Sequence, residues 1–170
     1  MAFNPDYEIR KQIIDVHLTD KIKYCYRCSR CNDVCPVSKA SGGVYNPRML
    51  IMGSLLGLKN LLMGSDQFAV WGCQICDTCD EECPQSIALT EIFALLKNKS
   101  VQAGTAPEYY TTQAKMILEN GKAIPMQPAI ERRREKMEIP PVQAPDLNEI
   151  QTILKATKLD KKIKYEWGAT

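Results

Sequence analysis

The sequence has almost no histidine. The single one, His17, has no second histidine and no lone carboxylate to work with, so a packed or surface histidine is expected rather than a ligand or proton relay. There is no glycine-rich dinucleotide fingerprint and no defensible acid–base dyad, which removes the usual signatures of substrate chemistry. Charge of one sign is missing too: the net charge of +2 gives no basic field for nucleic acid. Long apolar runs are absent. The longest, MLIMGSLLGL at 49–58, stops at Lys59, and a bilayer span needs about 20 apolar residues, so it reads as a core helix. The opening residues, MAFNPDYEIRKQ, lack the apolar stretch of a secretory leader. A cytoplasmic, reducing compartment follows as the expectation. The remainder, 45% apolar and 25% charged over 170 residues, fits a globular chain with a modest core.

What the sequence does have is cysteine, and only in two places. Residues 25–36 read CYRCSRCNDVCP and residues 73–84 read CQICDTCDEECP, both C-x2-C-x2-C-x3-C-P, and they hold all 8 cysteines of the chain. In a reducing compartment such sets bind metal rather than form disulfides. A cubane cluster needs one thiolate per iron, and three cysteines spaced by two residues can wrap a loop whose N–H groups face the sulfides. In two-run ferredoxins the fourth cysteine, just before the proline, ligates the other run's cluster. The expected ligands are therefore Cys25, Cys28, Cys31 and Cys83 for one [4Fe–4S] cluster and Cys73, Cys76, Cys79 and Cys35 for the second. Pro36 and Pro84 turn the chain after the fourth ligand. Zinc would favour paired C-x2-C units separated by a longer loop. With both clusters bound the net charge would fall to about −2. Arg27 and Arg30 lie within the first run, and Asp77, Asp80, Glu81 and Glu82 within the second. Nearby positive charge favours the reduced form, so the Cys25/Cys28/Cys31 cluster is expected to have the higher potential.

Around this core the chain reads as mostly α. An N-terminal helix is expected over 1–24, started by Pro5-Asp6, with Ile9, Ile13 and Val16 on one face and Ile14 and Leu18 beside them. Between the runs, Gly42-Gly43 reads as a loop. Asn46 caps a helix that opens on Pro47, carries Leu50, Leu55, Leu58, Leu61 and Leu62, and stops at Gly64. Met49, Met52 and Met63 read as packing rather than a soft-metal site. After the second run, Ser86 is expected to cap a helix through Lys97 with Ile87, Ile92, Leu95 and Leu96 apolar. Residues 25–100 thus form an α-helical two-cluster domain. Residues 101–170 read as a helical and extended partner-binding region. Its helices are EYYTTQAKMILEN, ended by Gly121, AIERRREKM, and a last one started by Pro145-Asp146. Six prolines here argue against a compact independent domain, and RRR at 132–134 reads first as a solvated helix face.

The stretches CYRCSRCNDVCPV, NPRMLI and WGCQICDTCDEECPQSIALTEIFALLKN carry a resemblance. Together they resemble the C subunit of heterodisulfide reductase, an α-helical ferredoxin family, over about residues 15–100. The resemblance implies a soluble multi-subunit oxidoreductase used in methanogenesis. In it, the A subunit holds a flavin and further clusters. The C subunit relays electrons to the B subunit, which reduces the disulfide of coenzyme M and coenzyme B. Similar modules serve sulfur oxidisers and the iron–sulfur subunits of other dehydrogenases. A metal-stabilised interaction module is the alternative of a different class. No cysteine is left over as a redox nucleophile, so the chain reads as an electron carrier without a substrate site.

Overall fold

The computed structural model describes residues 5–16, 19–64 and 67–167. Among them there is no strand, and twelve α-helices run α1 (Tyr7–Ile14), α2 (Arg30–Val34), α3 (Pro36–Ala40), α4 (Pro47–Leu56), α5 (Lys59–Met63), α6 (Gln67–Trp71), α7 (Thr78–Glu81), α8 (Leu89–Ala103), α9 (Glu108–Asn120), α10 (Pro128–Lys136), α11 (Leu147–Ala156) and α12 (Leu159–Lys162), with a 3-10 turn at Asp20–Tyr24. The mostly α reading of the sequence holds. The chain divides into two units, Met1–Ala106 and Pro107–Thr170.

The first unit starts where the sequence places it. Asp6 Oδ1 accepts the Glu8 and Ile9 N–H groups at 3.0 and 3.1 Å, and Ile13 is buried. The helix is shorter than expected, because the Thr19 hydroxyl donates to the Ile13 carbonyl and turns the chain toward the 3-10 segment. Val16 is consequently exposed, while His17 and Leu18 lie outside the described residues.

The helix between the cysteine runs also differs from expectation. Asn46 Oδ1 accepts the Met49 N–H at 3.0 Å and Pro47 opens α4, as its sequence predicts. It does not continue to Gly64. Gly57 adopts φ +66 and ends α4, and the chain restarts as α5. Only glycine suits the position: it is left-handed, and a Cβ there would come 2.3 Å from the Asp6 carbonyl oxygen. That carbonyl belongs to the residue whose N–H donates to Gly57 O at 2.8 Å, so the break docks α1 against α4. Leu50, Ile51 and Leu62 are buried in this core, with Ile92, Phe93 and Leu96 from α8. Met49 is half exposed, so it does not fill the core as its sequence reading expected.

Helix α8 begins at Leu89, later than expected, and Ser86 does not cap it; Ser86 itself is left-handed. The cap comes from the second cysteine run. Asp80 Oδ1 accepts the Thr90 N–H at 3.0 Å and Asp80 Oδ2 accepts the Thr90 hydroxyl at 2.6 Å. A carboxylate at a helix N-terminus satisfies donors that have no partner within the helix. The sequence could not reveal this cap, because its donor and acceptor lie on different elements.

In the second unit α9 packs on α11 and α11 on α12. Leu118 is fully buried, and Gln151 Nε2 donates to its carbonyl at 3.0 Å. The six prolines do not prevent this packing, contrary to the compositional expectation. Pro107 and Pro128 sit at helix starts, where a missing N–H costs nothing, and Pro140-Pro141 lie in an extended connection. Asp146 caps α11 through Asn148 and Glu149 N–H. Arg132 and Arg133 are exposed, whereas Arg134 is half-buried and donates to the Pro140 carbonyl at 2.7 Å. Trp167 donates to Asp160 Oδ2 at 2.9 Å beneath the Lys155 ammonium, 4.1 Å from the ring centroid.

Candidate metal centre

The two cysteine loops repeat each other in backbone as well as in sequence. Arg27 and Ser29 flank Cys28 with φ +63 and +69, and Ile75 and Asp77 flank Cys76 with φ +50 and +59. None of these residues is glycine. Left-handed backbone costs an L-residue roughly 1–2 kcal/mol, and most for a β-branched residue such as Ile75. Strain at matching positions in both loops marks a functional constraint rather than a turn of convenience. The result is a loop folded inward on its own thiols. Ile75 N–H lies 3.4 Å from Cys73 Sγ, and Ser38 N–H lies 3.4 Å from Cys35 Sγ.

The third cysteine of each run sits in a short helix, Cys31 in α2 and Cys79 in α7, and these two helices pack together. That contact interleaves the runs. One cavity is lined by Cys25, Cys28 and Cys31 of the first run and by Cys83 of the second; a second is lined by Cys73, Cys76 and Cys79 with Cys35. The eight thiols are thus brought together in two sets of four, each set drawing three from one run and one from the other. All eight are free of disulfides. Burial, then the neighbouring Cys25 and Cys28 charges, pushes the Cys31 thiol up to about 11. Burial and then the Asp80 charge push Cys79 higher still.

The surroundings of the two cavities differ. Arg27, Arg30 and Arg48 line the first beside Ile51, Ile87 and Leu89. Tyr45, Phe93 and Thr90 line the second, and no charged side chain does. The charge contrast read from the sequence is therefore altered by the fold. Arg30 crosses to the other run, where its Nε and Nη2 donate to Glu82 Oε2 at 2.9 and 2.6 Å, so one positive charge is offset on the spot. Asp80 is engaged with Thr90. In exchange Arg48, on α4 and outside both runs, joins the first cavity.

The second run is fixed to α8 at its leading end. Trp71 Nε1 donates to Ser100 Oγ at 3.0 Å, and Lys97 Nζ donates to the Cys73 carbonyl at 2.6 Å. The Trp-Gly-Cys lead-in is therefore an anchor. Gly72 is obligatory within it, since a Cβ there would lie 2.6 Å from Tyr45 Cδ2 and 2.8 Å from the Phe68 carbonyl oxygen.

A sequence profile for the 4Fe-4S dicluster domain matches residues 21–87. The "C 2" iron–sulfur subunit of CoB–CoM heterodisulfide reductase from Methanocaldococcus jannaschii is 32% identical over 96% of this chain and 89% of its own length. The chain belongs to the family of heterodisulfide reductase C subunits. The C subunit of the H2:CoB–CoM heterodisulfide,ferredoxin reductase from Methanothermobacter thermautotrophicus is 30% identical over 94% of this chain and 91% of its own. A protein of Archaeoglobus profundus named as like the heterodisulfide reductase C subunit is 25% identical over 94% and 87%. The similarity runs beyond the cysteine core and includes most of residues 101–170. Family membership makes the chain an iron–sulfur, electron-transfer subunit of an oxidoreductase assembly, with cofactors of the 4Fe–4S type. Among the described residues no helix is long and apolar enough to cross a membrane.

Sequence reasoning picked out the thiols and missed the side chains that enclose them. Nothing local marked Tyr45, Arg48, Asp80 or Lys97 for these contacts: Asp80 was read only as a charge, Lys97 only as a helix end, and Arg48 only as part of NPRMLI. The positive φ values repeating at 27/75 and 29/77 had a faint signal in the identical spacing of the runs, but no glycine to announce them.

Proposed function

We propose that this chain passes single electrons from a flavin-bearing A subunit to a B subunit that reduces the CoB–CoM disulfide. Cys25, Cys28, Cys31 and Cys83 hold one [4Fe–4S] cluster in this reading, and Cys73, Cys76, Cys79 and Cys35 hold a second. The observation that carries it is the exchange of the fourth thiol: each cavity is lined by three cysteines of one run and one of the other. The donor set fits the cofactor. Four thiols match four irons. Among the described residues no three His, Cys, Asp or Glu side chains converge on a point that a single ion could occupy, whereas zinc needs its sulfur donors within about 2.3 Å of one centre. Thiols spread around a cavity suit a larger inorganic body. When bound, such a cluster gains and releases one electron at a time.

The chain's own groups then have defined tasks. Cys35 and Cys83 tie the two loops together, which couples metal binding to folding of the region. Ser38 and Ile75 offer N–H groups to sulfur and offset its charge. With every cysteine assigned, no thiol is left to attack a disulfide, so bond-making falls to the partner. Residues 1–24 brace the carrier domain, 25–100 hold the clusters, and 101–170 bind partners. The exposed Ile124, Ile130, Met137 and Val142 of the last region support that role. A cytoplasmic location agrees with the unpaired cysteines. The CoB–CoM disulfide is supported by the names that the relatives carry.

Iron and acid-labile sulfide analysis of the anaerobically purified chain tests the reading. About eight of each, with reducible EPR signals, is the expected result. About two zinc ions per chain and no sulfide would replace it with a metal-stabilised interaction module. Co-purification tests the rest: the A and B subunits are expected with the chain, and a different dehydrogenase would move it to another complex.

A further inference from the structure

Tyr45 brings to the second cavity a buried polar group that the ligand set does not use. It is 1% exposed, yet its hydroxyl has no hydrogen-bond partner in the protein. An unpaired buried hydroxyl costs about 1–3 kcal/mol, and folded proteins keep few of them without a reason. Phenylalanine would fill the same space at no such cost. Tyr45 stands in the wall of the cavity that Cys35, Cys73 and Cys79 line.

The ring is held in place. Its backbone N–H donates to Ser41 Oγ at 3.0 Å, its ring meets that of Phe68 edge-on at 6.0 Å, and Gly72 leaves room where a Cβ would strike it. No tyrosine lines the first cavity, whose wall is largely arginine and aliphatic; Tyr26, between Cys25 and Cys28 in the chain, is exposed.

We propose that the Tyr45 hydroxyl donates a hydrogen bond to a sulfur of the cluster bound in this cavity and raises that cluster's reduction potential. The inference rests on the ligand assignment above. A donor aimed at a cluster sulfur favours the reduced, more negative state, and groups one shell beyond the ligands tune a metal site in this way. Tyr45 is a positioning residue, not a ligand.

The experiment is an EPR-monitored redox titration of the cluster-loaded, full-length chain and of its Tyr45→Phe variant. The variant is expected to keep about eight irons. One midpoint should move negative, equivalent to about a tenfold lower reduced-to-oxidised ratio at a fixed poise, or about 59 mV for one electron. The other midpoint should stay. Fe–S stretching bands of the parent should shift on exchange into D2O, and that part of the shift should vanish in the variant. Full iron with both midpoints and the isotope shift unchanged overturns the proposal, and so does loss of about four irons, which would make Tyr45 a structural prop. A parent chain without iron and sulfide defeats the ligand assignment instead, and the role of Tyr45 falls with it.

Discussion

The two cavities share a pattern of thiols and differ in what packs against it. The first is ringed by Arg27, Arg30 and Arg48; the second is walled by Tyr45, Phe93 and Thr90, with the Asp80 carboxylate beside Cys79. One motif thus yields two electrostatic environments, because the motif fixes only the thiols. What encloses them comes from α4 and α8 and from the loop that presents Tyr45. For an electron carrier this difference is useful, since two identical sites would have no reason to differ in potential.

Exchanging the fourth cysteine breaks the comparison most severely. Cys83→Ala is expected to remove about four of about eight irons and abolish the signal of the Cys25/Cys28/Cys31 site, although the substitution lies in the other run. Cys35→Ala should do the converse. Iron analysis and EPR decide; loss confined to the mutated run's own site would refute cross-ligation.

Asp80 holds the start of α8, which gives Thr90 and Phe93 to the second cavity and Leu89 to the first. Asp80→Ala strands the Thr90 N–H and hydroxyl and should cost about 2 kcal/mol. Denaturant unfolding measures the loss, and the second midpoint potential should respond more than the first. Asn46→Ala provides the symmetrical control. It removes the cap of α4, which contributes Arg48 and Ile51 to one cavity and Pro47 to the other. A loss of about 1 kcal/mol without selective change at either site is expected.

The smallest effect belongs to the arginines. Charge reversal at Arg27 and Arg48 should lower only the first-site potential. Both side chains are exposed, so the shift should shrink as the Debye length falls from about 30 Å at 0.01 M salt to about 8 Å at 0.15 M. Arg30→Glu breaks the exposed pair with Glu82 and leaves two acids beside the same cavity, so it should lower the first-site potential as well. Equal shifts at both sites would erase the electrostatic distinction between them.

Sequence alone determined the helical class, the three leading thiols of each set, and the helix starts at Asp6, Asn46 and Asp146, because each of these is a local matter. Cluster loops follow from spacing along one stretch of chain, and a cap joins residues two or three positions apart. Tertiary structure decided what depends on distant residues meeting. The Gly57 break exists because α1 comes within reach of α4, α8 takes its cap from the second cysteine run, and Arg30 finds Glu82 across the interleaved runs. The enclosure of each cavity belongs to the same class. Tyr45 and Arg48 lie close together in sequence, yet they line different sites, since one precedes α4 and the other faces out from its first turn. Local chemistry set what can bind; the packing of helices set the environment in which it would be held.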